Sequence, residues 1–292
     1  MSRDQVSLRP GRASDLEAIT VFTTGTFEWG DYVSDMYLEW LEGRDNRVVV
    51  AVDADDRAIA VMLARMLSPT EAWLSGVRVH PDHRRQGLAS QLNENGMQWA
   101  KDSGALVARL ATEEDNQPAR RQVEKLGYRP VARFSFNTLK IDTHPDEANG
   151  WKRPPGPERF DVAPSAEAEP AFMVWSTQDL ATGSHGLYPA ERWTFRRLRA
   201  GDLAEAGRQR QLWVSPAGWA IAFDDDGELF VSLPVTTPED ADRFMHGLVD
   251  LAHAQGSSRL VLMPVAVPWL QDAVMEAGLG SSHPTVVYER AL

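Results

Sequence analysis

The amino-acid sequence predicts an α/β protein in which one fold is built twice. Three observations predict it. Apolar residues alternate between strand-like and helix-like spacing along both halves of the chain. A proline-rich segment divides the 292 residues near their middle. Landmarks of the first half return in the second at a nearly constant interval.

In the first half, Val6–Arg9 reads as a short strand, and Ser14 or Asp15 as the cap of a helix running to about Phe22. Arg47–Asp53 and Ala58–Met66 form a hairpin around the turn Ala54–Asp55–Asp56–Arg57. Ala72–Val79 is a strand. The spacing of Leu88, Leu92, Gly96 and Trp99 puts one face of a helix over Leu88–Ser103, with Gly104 as its stop. Leu106–Leu110 is a strand. Pro118–Leu126 is a helix with Ala119, Val123 and Leu126 on one side and Gly127 at its end. Phe134–Ile141 is expected to close the first sheet. Between Asp142 and Pro170 lie Pro145, Gly150, Pro154, Pro155, Gly156, Pro157 and Pro164, which disfavour continued helix or central strand. We therefore expect a domain over 1–142, a linker over 143–157 and a second domain over 158–292.

The repeat rests on four matches. Leu8–Pro10 faces Val162–Pro164 at an interval of 154 residues, and Trp73–Val79 faces Leu229–Val235 at 156. Lys101–Gly104 faces His253–Gly256 at 152, and the helix-ending Gly127 faces Gly278 at 151. A competing match pairs Leu8–Leu16 with Phe195–Leu203 at 187. That register would have to shrink by about 30 residues to meet the later landmarks, so we take it as accidental.

Composition bounds the function. There is no cysteine, which excludes a disulfide framework, a cysteine nucleophile and a thiolate zinc site, and nothing else calls for a metal. No apolar run approaches the ~18 residues of a membrane span, and the first residues carry no secretory signal. A soluble cytoplasmic protein is expected, with neither membrane nor nucleic acid as partner. The net charge of −12 is uneven: residues 1–142 hold 18 basic and 21 acidic side chains, residues 143–292 hold 12 and 21. Nucleic-acid binders carry basic stripes, and a short basic loop such as Arg84–Arg85 does not amount to one. The acidic surplus suits a cationic small molecule or a solubilising surface.

The chemistry concentrates after Val77–Arg78–Val79. A strand ends, a short loop passes through His83–Arg84–Arg85–Gln86–Gly87–Leu88–Ala89, and a helix begins at once. Such a turn collects main-chain N–H groups at a helix N-terminus, a setting suited to a diphosphate. Gly87 permits close approach or positive φ, and Ala89 is small. The pattern Arg84-x-x-Gly87-x-Ala89 resembles the acetyl-CoA signature of the GNAT acetyltransferase superfamily. Asn116-x-x-Ala119, followed by Lys125–Leu126–Gly127–Tyr128, resembles that superfamily's later motif. The resemblance covers roughly residues 3–141 and implies two GNAT-like domains. Each would be a mixed, mostly antiparallel twisted sheet flanked by helices.

What the resemblance implies is residue-specific. Acetyl-CoA would be the co-substrate. The backbone of Val77, Arg78 and Val79 would pair with the pantetheine amides, and Arg84, Arg85, Gln86, Gly87, Leu88 and Ala89 would hold the diphosphate. Asn116 would hydrogen-bond the pantetheine arm and Ala119 would leave room for it. At the position where the family places a tyrosine acid, this chain has Val123. Tyr128 is then a candidate acid, though it also reads as a packed aromatic at a strand start. Glu71, ahead of its strand, and Glu28, in the aromatic and acidic stretch Thr26–Tyr32, are candidate bases. His80 and His83 read more simply as turn residues.

The second half offers Thr236–Thr237–Pro238–Glu239–Asp240–Ala241–Asp242 where the first has its loop, and about Val267 where it has Asn116. Three acids there repel a diphosphate. This reads as a degenerate copy in a tandem arrangement like that of mycothiol synthase, although in that enzyme the C-terminal copy is catalytic. The expected activity is acetyl transfer to the primary amine of a small, cationic acceptor. The alternative is a CoA-binding sensor or interaction protein. The oligomeric state is left open.

Overall fold

The computed structural model describes residues 6–24, 30–141, 159–281 and 284–292. The chain first forms β1 (Ser7–Pro10), α1 (Leu16–Thr23), α2 (Tyr32–Glu42), β2 (Asn46–Val52), β3 (Ala58–Ser68) and β4 (Glu71–Val79). It continues through α3 (Leu88–Asp102), β5 (Val107–Glu113), α4 (Gln117–Lys125), β6 (Arg129–Phe134) and β7 (Asn137–Lys140). The later half holds β8 (Asp161–Val162), α5 (Ala168–Ser176), α6 (Asp179–Gly183), β9 (Leu187–Glu191), β10 (Thr194–Arg197) and α7 (Ala200–Arg208). Then come β11 (Leu212–Ser215), β12 (Gly218–Asp225), β13 (Glu228–Thr236), α8 (Ala241–Gln255), β14 (Arg259–Leu262), α9 (Pro268–Glu276), β15 (Gly280–Ser281) and β16 (Thr285–Ala291).

Two seven-stranded sheets result, ordered β1-β2-β3-β4-β5-β16-β6 and β8-β11-β12-β13-β14-β7-β15, beside a two-stranded β9–β10 ribbon. The orders match position by position. In each, a parallel ladder of three pairs follows antiparallel ones: Glu71↔Val107 to Trp73↔Arg109 in the first, Leu229↔Leu260 to Val231↔Leu262 in the second. The mixed, mostly antiparallel sheets flanked by helices are those expected. One strand is not where the sequence reading put it. The segment at 134–141 does not close the first sheet; β7 pairs with β14 and β15, and β16 takes the place beside β5. A strand's apolar alternation states that it pairs, not with which sheet.

Contacts group the chain into two compact units: Met1–Ala111 with Gln117–Pro130 and Tyr288–Leu292, and Thr112–Asn116 with Val131–Val287. These are not the contiguous blocks 1–142 and 158–292, because the strand order draws the chain's last residues into the first unit. The linker at 143–157 lies outside the described residues.

In the first unit, β2 is a Val-rich run buried over its last five residues, as a central strand covered on both faces requires. Ile19 and Phe22 of α1, and Val33, Tyr37 and Trp40 of α2, pack on Val48, Val50, Val52, Val61 and Leu63. Each such burial contributes about 1.5–3 kcal/mol. Helix α2 was not foreseen, although Asp31 caps it, accepting the Val33 N–H at 3.1 Å, and Val33, Tyr37 and Trp40 share helical spacing. The other face of β3 meets α3: Gly96 lies against Met62, Ala64 and Leu74, the alternate residues of the pleat. Within α3, Met97 and Ala100 are buried while Trp99 is only half-buried, a slight rotation from the expected face.

The match between Leu8–Leu16 and Phe195–Leu203 is structural rather than accidental. Arg9 donates to both Asp15 oxygens at 2.8 and 2.7 Å, and the Arg12 N–H donates to Asp15 Oδ2 at 2.8 Å. Arg196 and the Arg199 N–H bind Asp202 in the same way, each at 2.8 Å. Both are strand-to-helix locks built from the same residues, placed at different points of the topology. Among the described residues, no helix is long and apolar enough to cross a membrane, and no group of three His, Asp or Glu side chains could hold a metal ion.

Candidate functional site

Strand β4 is bent where the chemistry is expected. Leu63 pairs with Ser75 and Val61 with Arg78, so β4 carries one extra residue across that interval, a β-bulge. Gly76 sits in it at φ +66°, with the Trp40 ring 2.5 Å from where a Cβ would stand. Only glycine takes both that conformation and that contact without strain. The bulge follows the end of the ladder with β5 at Trp73↔Arg109. Beyond it, Arg78 and Val79 pair on their other edge with Val61 and Ala60 of β3. Val77, Arg78 and Val79 thus lie on a strand that has parted from its parallel neighbour.

The loop leaving β4 begins with a single 3₁₀ turn, Pro81–His83. His80 caps it, its Nδ1 accepting the Asp82 N–H at 3.2 Å, and the His83 N–H donates to the His80 carbonyl at 2.9 Å. His80 and His83 are therefore turn residues, as read. Arg85 then takes φ +62° and Gly87 φ +82°, two left-handed residues within three. For a side-chain-bearing residue such a conformation costs roughly 1–2 kcal/mol, and it rotates successive N–H groups toward one side. Among the described residues, the N–H groups of Arg85, Gln86 and Gly87 have no acceptor in the protein. Those of Leu88 and Ala89 belong to the first turn of α3, which has no intrahelical acceptors. The side chains of Arg84, Arg85 and Gln86 are exposed; Arg84 Nε donates to the Val79 carbonyl at 3.3 Å and Gln86 Nε2 to that of Asp82 at 3.4 Å.

On the α2 side of the bulge, Arg78 grips Asp31 through two bonds of 2.6 and 3.1 Å and lies 5.4 Å from the centre of the Tyr32 ring. The Asp31 side chain is 2% exposed, so its charge is spent on Arg78 and does not add to an acidic acceptor pocket. Glu28 lies outside the described residues.

Two candidate catalytic residues are placed away from such work. Glu71 opens β4, eight residues and roughly 26 Å from the loop end. It is buried and bonded to Arg109 at 2.7 Å, and Arg109 also holds Glu289 at 2.7 Å. Its charge is shared with Arg109 inside the frame, at the end of β4 away from the loop. Tyr128 is 2% exposed and its hydroxyl has no partner. Burial pushes that phenol up, against the opposing charge of Arg290. It is the packed aromatic at the start of β6. Val123 is buried on α4. Asn116 is exposed directly ahead of α4, and Ala119 is half-buried in its first turn.

In the second unit the path from strand to helix is shorter. β13 reaches α8 through Thr237–Asp240 alone, with Asp240 at the cap and bonded to Arg243 at 2.7 Å. Val267 stands directly ahead of α9, with Pro268 behind it, as Asn116 stands directly ahead of α4. Beyond the β13–β14 ladder lies a small pocket lined by Leu233, Met263, Val265, Trp175 and Leu180, with Ser232 bonded to the Pro189 carbonyl.

Sequence reasoning missed Asn93. It is 2% exposed on α3, and its Oδ1 has no partner. The signal was there: a polar residue four after Ala89 and four before Met97, on the buried side of the helix. Arg109 was missed because a lone arginine in a strand carries no pattern.

The Acetyltransferase (GNAT) family model matches residues 16–128, which contain both motifs. Over 46 residues the chain is 44% identical to "Probable N-acetyltransferase HLS1" of Arabidopsis thaliana, a match spanning 16% of this chain and 11% of that protein. A GCN5-related N-acetyltransferase from Sphaerobacter thermophilus superposes with a TM-score of 0.68 at 18% identity, covering 100% of this chain and 97% of its own. The glucosamine N-acetyltransferase region of a fungal multi-domain GH3 β-N-acetylglucosaminidase superposes at 0.63 with 14% identity, covering 99% of this chain and 38% of that one. With the sheet order, the bulged β4 and the loop in place, the chain has the fold of the GNAT-family N-acetyltransferases.

Proposed function

We propose that the first domain transfers an acetyl group from acetyl-CoA to a primary amine of a small molecule, and that the second is a degenerate copy that holds no coenzyme. The observation that carries this is the run of unpartnered N–H groups from Arg85 to Ala89, opened by left-handed Arg85 and Gly87. Charge-assisted bonds of this kind are each worth about 1.5–3 kcal/mol, and several together suit a diphosphate. Acetyl-CoA supplies the activated thioester. In this reading Arg84 and Gln86 border the diphosphate, and Leu88 starts the helix whose dipole adds to the attraction. The edge of Val77, Arg78 and Val79 pairs with the pantetheine amides; Asn116 bonds the arm and Ala119 leaves it space. A β4 N–H at the bulge end of that edge polarises the thioester carbonyl.

Transfer needs the acceptor as a free amine. At an ordinary ammonium pKa of about 10.4 that costs roughly 4–5 kcal/mol at pH 7, so a nearby carboxylate must take the proton. With Glu71 and Asp31 both paired to arginines, Glu28 is the base we propose. The C–N bond forms as the C–S bond breaks, and the proton shed by nitrogen passes through Glu28 and water to the thiolate. A second reading, a CoA-binding sensor, is favoured by buried Val123 at the expected acid position and the sealed Tyr128 hydroxyl. The test is thiol release from acetyl-CoA across a panel of polyamines, amino sugars, amino acids and peptides. Release with at least one amine, cut by Glu28→Gln at unchanged CoA affinity, supports the enzyme. Tight CoA binding without release across the panel supports the sensor.

A further inference from the structure

One buried polar atom is left over by the fold. Asn93 Nδ2 donates to the Ala89 carbonyl at 2.9 Å, which fixes which end of the amide is nitrogen. Its Oδ1 has no partner, although the residue is 2% exposed. A carbonyl oxygen buried without a donor costs about 1–3 kcal/mol, and leucine would fill the same space without that cost. The chain tolerates the polar group at a position where packing alone favours an apolar one.

The direction of that oxygen follows from its neighbours on α3. At 100° per residue, Gly96 lies about 60° to one side of Asn93 and Met97 about 40° to the other. Gly96 rests on Met62, Ala64 and Leu74 of β3 and β4. Met97 meets Arg290, on the strand that follows β5 in the sheet. Asn93 therefore faces the interval between β4 and β5, and it does so nearer the loop than Gly96, on the side where β4 has passed its bulge and left the ladder.

We propose that Asn93 Oδ1 accepts the pantetheine N–H nearer the diphosphate; this rests on the coenzyme reading above. The lengths agree. Asn93 is five residues from Leu88, roughly 7.5 Å along the helix axis. Six bonds separate the diphosphate phosphorus from that amide nitrogen, roughly 7 Å extended. Helix α3 runs back along β4, so an arm descending from the loop along Val79 to Val77 passes Asn93 at that depth. The Ala89 carbonyl holds the side-chain amide in place, so its oxygen is oriented before the arm arrives.

The test compares CoA with adenosine 3′-phosphate 5′-diphosphate, which keeps the diphosphate and lacks the arm, by calorimetric titration of the full chain. Asn93→Leu should weaken CoA about tenfold, the effect of one hydrogen bond to a buried acceptor. It should leave the arm-less nucleotide within twofold and the melting temperature unchanged or raised. Asn93→Met, unbranched and helix-favouring, gives the same comparison if leucine crowds Met97. CoA affinity within twofold of wild type in a folded variant overturns the assignment and leaves the loop reading standing. Wild-type protein that binds neither nucleotide overturns both.

Discussion

The junctions β4–α3 and β13–α8 leave strands of matching place in their sheets, and yet they present opposite chemistry. From Val79 to Leu88 the path takes eight residues, two of them left-handed, with arginines at its rim. From Thr236 to Ala241 it takes four, with Glu239 and Asp240 ahead of the helix and Asp242 in its first turn. Sheet order, the three-pair parallel ladder and the helix that follows are common to both. The frame alone therefore does not make an anion site; the loop's length, its positive φ residues and its sign of charge do. Beyond the ladder the same contrast holds, with an unpartnered amide oxygen at Asn93 in one unit and a small apolar-lined pocket in the other.

The largest effect should come from spoiling the first junction. Gly87→Glu places a side chain at φ +82° and a negative charge among the N–H groups, and should weaken CoA at least about a hundredfold, read by titration with the melting temperature as control. Next is the frame beneath it. Glu71→Gln leaves Arg109 with one carboxylate and should cost about 3 kcal/mol in chemical unfolding, the scale of breaking a buried pair. CoA affinity per folded molecule should not change, and a loss of turnover without loss of stability would return Glu71 to the site.

The paired locks give a smaller and more graded comparison. Burial pushes the Asp15 carboxyl up, but the bonds from Arg9 and Arg12 outweigh it and hold it below the ordinary range. A depressed folded value means the contribution is fully present above the ordinary carboxylate value near pH 4 and fades as pH falls through the depressed one. Asp15→Asn should therefore cost about 1.5–3 kcal/mol at pH 7, and the gap to wild type should narrow below about pH 4. Asp202→Asn should cost less, because the Asp202 side chain is 17% exposed and that of Asp15 only 5%. The smallest effect is expected at the second junction: Asp240→Ala removes a surface pair with Arg243, costs less than about 1 kcal/mol and leaves CoA affinity within twofold.

Much of this was legible in the sequence where a local rule was enough. Gly87, Gly104 and Gly127 marked the ends of elements, and the β2–β3 hairpin followed from its two apolar runs and polar turn. Asn116 and Val267 both stand directly ahead of a helix. What was not legible depends on partners far along the chain. The exchange of β7 and β16 between sheets, the Arg109 triad with Glu71 and Glu289 and the grip of Arg78 on Asp31 join residues separated by 38 to 180 positions. No spacing rule reaches that distance. Helix α2 was readable from Val33, Tyr37 and Trp40 but was hidden by the aromatic and acidic character of its start.

The central claim is that main-chain N–H groups at the first junction grip a diphosphate. Amide hydrogen exchange, followed by mass spectrometry with and without saturating CoA, tests it directly. The account predicts slowed exchange across Arg85–Ala89 and no change across Thr237–Ala241. Tight CoA binding that leaves exchange at Arg85–Ala89 untouched would contradict it.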